Sequence, residues 1–564
     1  MRERAWAIVP TLAQCGLGTS HTPLNFFADV CSIMLHLRLL LAVLLFKNVN
    51  SDMRVDPLVH TNVGLIKGLK ASDGDYSMFL GIPYAIASLP HPKFDEIFEA
   101  YDDSALCPQL VYNTNNITGT LDCLHLNVFT PNSATSLNLL PVLVYIHGGF
   151  LQRGAFGRET YGPKFIVQHD IILVTINYRL GPYGFMCLST PEIPGNQGLK
   201  DQLKALRWIK DNIEAFGGDP GQVTIGGQSA GAASVDFHLM YPGERLFNKV
   251  ILQSGVALTP ERMIELDNDS PMKLAEYFEF KTSDLNDALT FLATKDTNSI
   301  IEATLELSIG FRACVEKEFE GVERFISQHP ATADRPNVKN IPVLLGSVDK
   351  ELLASYADKN TDFFQHLTIF RDSLNNVFHF GDDLDLVHQN LRNFYVGDHV
   401  MTDDDKWEVI DFMSDFTYVH PIQRAMRKYR QNEARNIYFY VFNYDGGRNL
   451  AKYRDNVSAP GATHADELGY LFDASLFTEE PSSEDQAVID RMTTMWTNFV
   501  KNPTPSTTEL IPVSWTPITP DKWHCLWIGA DLALKGRPFH DRMAFWDLFF
   551  KTEVLSVFKR VPDN

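Results

Sequence analysis

The chain predicts an α/β fold: a mostly parallel central sheet with helices on both faces and helical insertions over the site. Three observations carry that expectation. Wholly apolar, strand-length runs recur along the chain, helix-period segments separate them, and glycine-rich turns follow where the runs end. A strand without polar alternation is covered on both faces, as a parallel sheet between two helical layers requires.

In chain order, residues 55–100 read as short strands and turns, with Gly81-Ile82-Pro83-Tyr84-Ala85 as a break. Val142–Ile146 (VLVYI) is a buried strand ending on His147-Gly148-Gly149, and Ile171–Ile176 (IILVTI) is a second. The segment LKDQLKALRWIKDNIEAF places Leu199, Leu203, Leu206, Ile209 and Ile213 at helical spacing before Gly217-Gly218 stops it. Val223 begins the next strand, and Val250-Ile251-Leu252, Val343-Leu344-Leu345 and Tyr438–Phe442 supply three more. Residues 260–340 and 355–430, mainly helical and rich in aromatics, read as insertions above the sheet, where such folds carry their sites.

Composition narrows the function classes. The chain has 564 residues, 45% hydrophobic and 21% charged, so a sizeable core is assured. A formal net charge of −21 argues against nucleic acid and against electrostatic attachment to anionic membranes. Leu39–Phe46 (LLLAVLLF), between Arg38 and Lys47, has signal-peptide length and is too short to span a bilayer. Residues 1–50 therefore read as a leader with a secretory signal, Met34 being a possible true start, and the C-terminus offers no lipid-anchor tail. Of seven cysteines, five lie beyond the leader, so at least one is unpaired or intermolecular. Cys107 and Cys123 are near enough to staple one loop, and sequons stand at Asn116, Asn268 and Asn456. These features fit a secreted protein, and the oligomeric state is not fixed by the sequence.

The chemistry centres on VTIGGQSAGAAS, Val223 to Ser234. Gly227-Gln228-Ser229-Ala230-Gly231 is a Gly-x-Ser-x-Gly turn from strand to helix, which projects the serine hydroxyl at a helix N-terminus. The Ala230 amide then points where a negative oxygen could develop. A serine needs a base and the base needs an orienting acid. His464, in Gly461-Ala462-Thr463-His464-Ala465-Asp466-Glu467, follows the last strong strand; Asp349 and Glu351 both follow Val343-Leu344-Leu345. Spacing alone leaves the acid open between those two. The order Ser…acid…His is that of α/β-hydrolases. Further oxyanion donors are the amides of Gly148, Gly149 and Phe150, after the strand that precedes the nucleophile. This chemistry needs no metal or cofactor.

With these residues in place, the chain from about Val55 onward resembles the type-B carboxylesterase/cholinesterase family. The matching stretches are GIPYA, DCLHLNVFTP, VYIHGG, NYRLGPYGF, the long run from Gly195 to Ala232, LQSG and WTNFVKNPTP. The resemblance implies an α/β-hydrolase fold over one catalytic domain, residues 51–564, and carboxylic-ester hydrolysis through an acyl-serine. By position it implies Ser229 as nucleophile, His464 as base, Glu351 rather than Asp349 as acid, and a Cys107–Cys123 disulfide. Gln228 stands where the family usually has glutamate; GQSAG is similar to the form in insect juvenile hormone esterases. Phe150 replaces the third glycine of the oxyanion loop, and no tryptophan lies between Cys107 and Cys123 to hold a quaternary ammonium. The expected substrate is a hydrophobic small-molecule ester. The competing expectations are a general detoxifying esterase and a catalytically silent adhesion or signalling protein on the same fold.

Overall fold

Runs of valine, isoleucine and leucine without polar alternation build the centre of the structure. The computed structural model describes residues 57–552, apart from 87–88, 113, 115 and 507–509. The leader and its Met34 start lie outside the described residues. Eleven described strands form one sheet: β1 Leu69–Lys70, β2 Tyr76–Pro83, β3 His125–Pro131, β4 Leu140–Ile146, β5 Ile172–Ile176, β6 Gly218–Gln228, β7 Lys249–Gln253, β8 Pro342–Val348, β9 Asn436–Phe442, β10 Cys525–Ile528 and β11 Leu532–Lys535. Their spatial order is β11-β10-β9-β8-β7-β6-β4-β5-β3-β2-β1. The strands from β5 through β10 in that order are mutually parallel, and β3 and β11 close the parallel block with antiparallel pairings.

Alternation along each strand sorts the core. Val142, Val144 and Ile146 of β4 join Ile225, Val250 and Val343 on one face, packed with Leu199, Leu203 and Leu206. Those leucines belong to α1, Gln197–Asn212, and the same face is covered by α2, Ala230–Met240. Leu143 and Tyr145 point the other way, among Ile251, Leu344, Tyr440, Met492 and Trp496. The last two belong to a later helix, Ser483–Lys501. A third, aromatic core unites Phe364, Phe370, Leu391, Phe412 and Trp546 within the insertion and the last described helix.

Three sequence expectations need correction. GIPYA is not a break before the sheet: Gly81–Pro83 end β2, and Gly81 sits at φ 68 where a Cβ would lie 2.0 Å from the Asp102 carbonyl oxygen. The strand at Val223 starts earlier, at Gly218, because Gly217 turns the chain straight into the sheet at φ 80. Strands β10 and β11, the last two at one side of the sheet, were not anticipated, their runs CLWI and LALK being only four residues each.

Cys107 and Cys123 form a disulfide, as do Cys187 and Cys314. Cys525 is a buried free thiol whose pKa burial pushes up. No helix among the described residues is long and apolar enough to cross a membrane.

Candidate active site

Every candidate residue lies at or beyond the C-terminal edge of the parallel strands, where loops leave the sheet. β6 ends at Gln228 and α2 begins at Ala230, so Ser229 alone makes the turn, at φ 59 and ψ −123. Such torsions cost about 1–3 kcal/mol for a residue with a Cβ. Close backbone packing holds them. A Cβ on Gly231 would lie 2.0 Å from the Ile146 carbonyl oxygen, and one on Gly255 would lie 2.1 Å from that of Ser229. The Ser229 amide donates to the Gln253 carbonyl at 2.8 Å, tying the elbow to the neighbouring strand.

Of the two acids left open by spacing, Glu351 is the one in contact with the imidazole. Glu351 Oε2 lies 2.6 Å from His464 Nδ1, and its Oε1 accepts from the Val348 amide at 3.1 Å. Asp349 instead accepts from the Ala462 amide, and burial raises its pKa to about 6. Backbone bonding fixes the pair, since the His464 amide donates to the Glu351 carbonyl. The far nitrogen, His464 Nε2, lies 3.1 Å from Gln228 Nε2. An amide donor there makes Nε2 the acceptor and leaves the imidazole proton on Nδ1, toward Glu351; this is the tautomer a general base requires. Among the described residues, Ser229 Oγ forms no hydrogen bond with His464. Contacts of this kind are often open without substrate and tighten once it binds.

The loop after β4 is anchored by side chains. The His147 ring stacks on Tyr178 at 4.4 Å, and the Tyr178 hydroxyl donates to the His147 carbonyl. Burial lowers the His147 pKa to about 4, and its Nδ1 lies 2.8 Å from the Gly148 carbonyl, to which the neutral ring donates. Beyond it, Gly149 has φ 108, Phe150 φ 60 and Leu151 φ 62. The phenylalanine thus adopts the left-handed backbone that glycine would take freely. Gly148, also expected as a donor, lies beside the buried Tyr161 hydroxyl, whose pKa burial raises. Among the described residues, the amides of Gly149, Phe150 and Ala230 have no hydrogen-bond acceptor. Of the three, only Ala230 belongs to a buried residue, and a buried donor in that condition is rare away from ligand sites.

Several residues were missed by sequence reasoning. Tyr418 packs its ring 4.7 Å from that of His464, and it sits in a π-helical turn, Asp415–Val419. Such turns often mark sites, but no sequence pattern announces them. Arg262, 3% exposed, lies with its guanidinium 5.2 Å from the Phe150 ring centroid. Glu467 is fully buried, and burial first, then the nearby Glu351 charge, raise its pKa to about 8. Its Oε1 accepts from Gln253 Nε2 at 3.1 Å. Glu467 could have been suspected, three residues after His464 in the same stretch. Asp466 anchors that stretch by accepting from the amides of Thr463, Ala451 and Lys452. The sequon residues Asn116, Asn268 and Asn456 are all exposed, the first within the loop closed by Cys107–Cys123.

The geometry has counterparts in known proteins. Esterase FE4 of Myzus persicae is 30% identical over 87% of this chain and 92% of its own. A juvenile hormone esterase of Tribolium castaneum is 30% identical over 80% of this chain and 84% of its own. The crystal structure of juvenile hormone esterase from Manduca sexta, with OTFP covalently attached, superposes with a TM-score of 0.75 at 24% identity. That match covers 88% of this chain and all of that one, and it establishes the α/β-hydrolase fold. The model of the carboxylesterase family matches residues 55–546. By sheet, by site and by this match over most of its length, the chain is a member of the carboxylesterase family and an ester hydrolase.

Proposed function

We propose that Ser229, His464 and Glu351 hydrolyse a carboxylic ester through an acyl-serine. The observation that carries this reading is the 2.6 Å contact of Glu351 with His464 Nδ1, beside a serine held on the strand-helix elbow. His464 Nε2 takes the Ser229 proton as Oγ attacks the ester carbonyl, and the Gly149, Phe150 and Ala230 amides receive the oxyanion. The C–O bond to the alcohol breaks, and the alcohol leaves with the proton from His464. Water then attacks the acyl-serine, gives a proton to His464, and releases the acid while Ser229 regains its hydrogen. Glu351 holds the ring through Nδ1 and stabilises the imidazolium. For the base to act, His464 Nε2 must exchange its Gln228 partner for the Ser229 hydroxyl.

The finer reading is a secreted enzyme for a hydrophobic ester, of the kind hydrolysed by juvenile hormone esterases. Gln228 supports it, because an uncharged amide beside the nucleophile gives no attraction to cationic alcohols. The two disulfides and three exposed sequons support secretion. Turnover of juvenile hormone beside 1-naphthyl acetate tests the substrate. A clear preference for the terpenoid methyl ester in kcat/KM fits the hormone reading; aryl-ester turnover alone assigns a broad detoxifying enzyme. One observation favours a silent protein, namely that Gln228 rather than Ser229 meets His464 Nε2. Failure to hydrolyse any ester by folded protein would establish that reading.

A further inference from the structure

Beyond Arg262, which packs on the Phe150 ring, lies a cavity of about 890 Å³ lined by Leu258, Met263 and Val377 together with Arg262 and Arg312. Arg262 is the anomaly. The residue is 3% exposed, and Nε and Nη2 are buried with no hydrogen-bond partner. The Phe150 ring covers one face of the group, and the Tyr418 hydroxyl interacts with it. Neither offers those two nitrogens an acceptor. A buried cation without one is costly, because its lost hydration is not replaced.

The acids around the cavity do not relieve it. Among the described residues, neither Arg262 nor Arg312 forms a salt bridge. Glu316 is spent elsewhere: its Oε2 lies 2.6 Å from Lys200 Nζ, and its Oε1 accepts from Asn196 and the Phe325 and Ile326 amides. Glu261 and Glu265 are exposed, and Glu261 accepts from Asn376 at 3.0 Å. Arg312 donates to the Phe311 carbonyl, and burial, with Arg262 nearby, lowers its pKa to about 10. Two guanidiniums therefore repel each other at a cavity of mixed polar and apolar lining, offset only in part for Arg312 by the exposed Glu261, an arrangement that an anion between them would relieve.

We propose that this cavity recognises an anionic arm of the ester: a carboxylate or sulfate held by Arg262 and Arg312, its apolar stem along Leu258 and Met263. The inference rests on the Ser229 reading for where the ester carbonyl sits, and it refines the substrate to an amphiphile. The position fits, since the same Arg262 borders both Phe150 of the oxyanion loop and Tyr418 over His464.

Two matched ester pairs test it. 4-Nitrophenyl hydrogen glutarate against 4-nitrophenyl valerate puts the charge on the acyl arm; 3-acetoxybenzoate against 3-methylphenyl acetate puts it on the alcohol arm. In at least one pair, kcat/KM favours the anion by roughly tenfold or more, the range of a charge-assisted hydrogen bond. That ratio falls toward one in Arg262→Gln and in the half-buried Arg312→Gln, which guards against misfolding of the first variant. Preference for the neutral ester in both pairs, or a ratio unchanged in both variants, overturns the proposal. Calorimetric titration with octanoate, octyl sulfate and octanol separates this from the catalytic reading. Both anions should bind about tenfold tighter than the alcohol, one anion alone would fix the headgroup, and equal binding of all three refutes the pocket. Anion binding without turnover of any ester would strike at Ser229 and leave the pocket standing.

Discussion

Two loops at the same sheet edge carry non-glycine residues at positive φ, and they are held in different ways. At the elbow, Ser229 at φ 59 is enclosed by backbone: Gly231 against the Ile146 carbonyl and Gly255 against that of Ser229. In the loop after β4, Phe150 at φ 60 and Leu151 at φ 62 are held by backbone and side chains together: a Cβ on Gly149 would lie 2.1 Å from the Arg153 carbonyl oxygen and the Gly181 amide donates to the Leu151 carbonyl, while the His147–Tyr178 stack lies below and Arg262 over the exposed Phe150 ring. Backbone packing admits no substitute, because a Cβ cannot rotate away from a carbonyl. Side-chain packing tolerates change. Ser229 is therefore rigidly held, while the Phe150 side chain, 41% exposed in the candidate oxyanion loop, is open to substitution.

The strongest attack on this contrast is at the elbow. Ser229→Ala removes the nucleophile and lowers kcat on the order of 10⁴–10⁶-fold, measured on any ester the wild type turns over. Gly231→Ala leaves all three reactive side chains in place yet forces the Ile146 carbonyl to move. It should cost at least ~10²-fold in kcat together with a lower Tm, whereas normal activity would show that the backbone enclosure yields. The loop responds in graded fashion. Phe150→Pro deletes an amide donor and forbids positive φ, with an expected loss of ~10²–10³-fold in kcat. Phe150→Gly keeps the donor and relieves the torsion, so it should change kcat less than ~10-fold; equal losses in the two variants would remove Phe150 from the oxyanion site. Gln228→Ala frees His464 Nε2 and has the smallest effect on kcat, within about fivefold.

One pH effect comes from the network beneath the elbow. The Glu467 pKa is raised from about 4.5 to about 8 on folding. The folded state therefore holds this proton more tightly than the unfolded chain does. Its contribution to stability is complete below about pH 4.5 and is lost as pH rises through about 8. Glu467→Gln keeps an acceptor for Gln253 but cannot ionise, so denaturant unfolding from pH 5 to 9 should show a smaller decline in stability than wild type. Parallel curves would place the Glu467 pKa elsewhere.

Legibility in the sequence follows the same division. VLVYI, IILVTI and VTIGGQS are readable because a doubly covered strand must be apolar throughout, and the elbow because only glycines fit around it. The choice between Asp349 and Glu351 was not readable from spacing, since both follow β8 within one turn; the resemblance implied Glu351, and Glu351 is the one of the two whose carboxylate lies against the imidazole. Arg262 and Tyr418 left no local signal. Their importance comes from being brought together, across 156 residues of chain, by an irregular turn and a π-helical bulge. The Gln228–His464 contact depends on side-chain rotation, which periodicity does not encode.

The central claim is that Ser229 is made nucleophilic by the His464–Glu351 pair. Its most direct test is mass spectrometry of the Ser229 peptide after a fluorophosphonate reacts with folded wild type and with Glu351→Gln. The account predicts one phosphonyl group on Ser229 of the wild type and labelling at least ~10²-fold slower in the variant. An unlabelled Ser229 in folded wild-type protein, or equal labelling of both proteins, would contradict it.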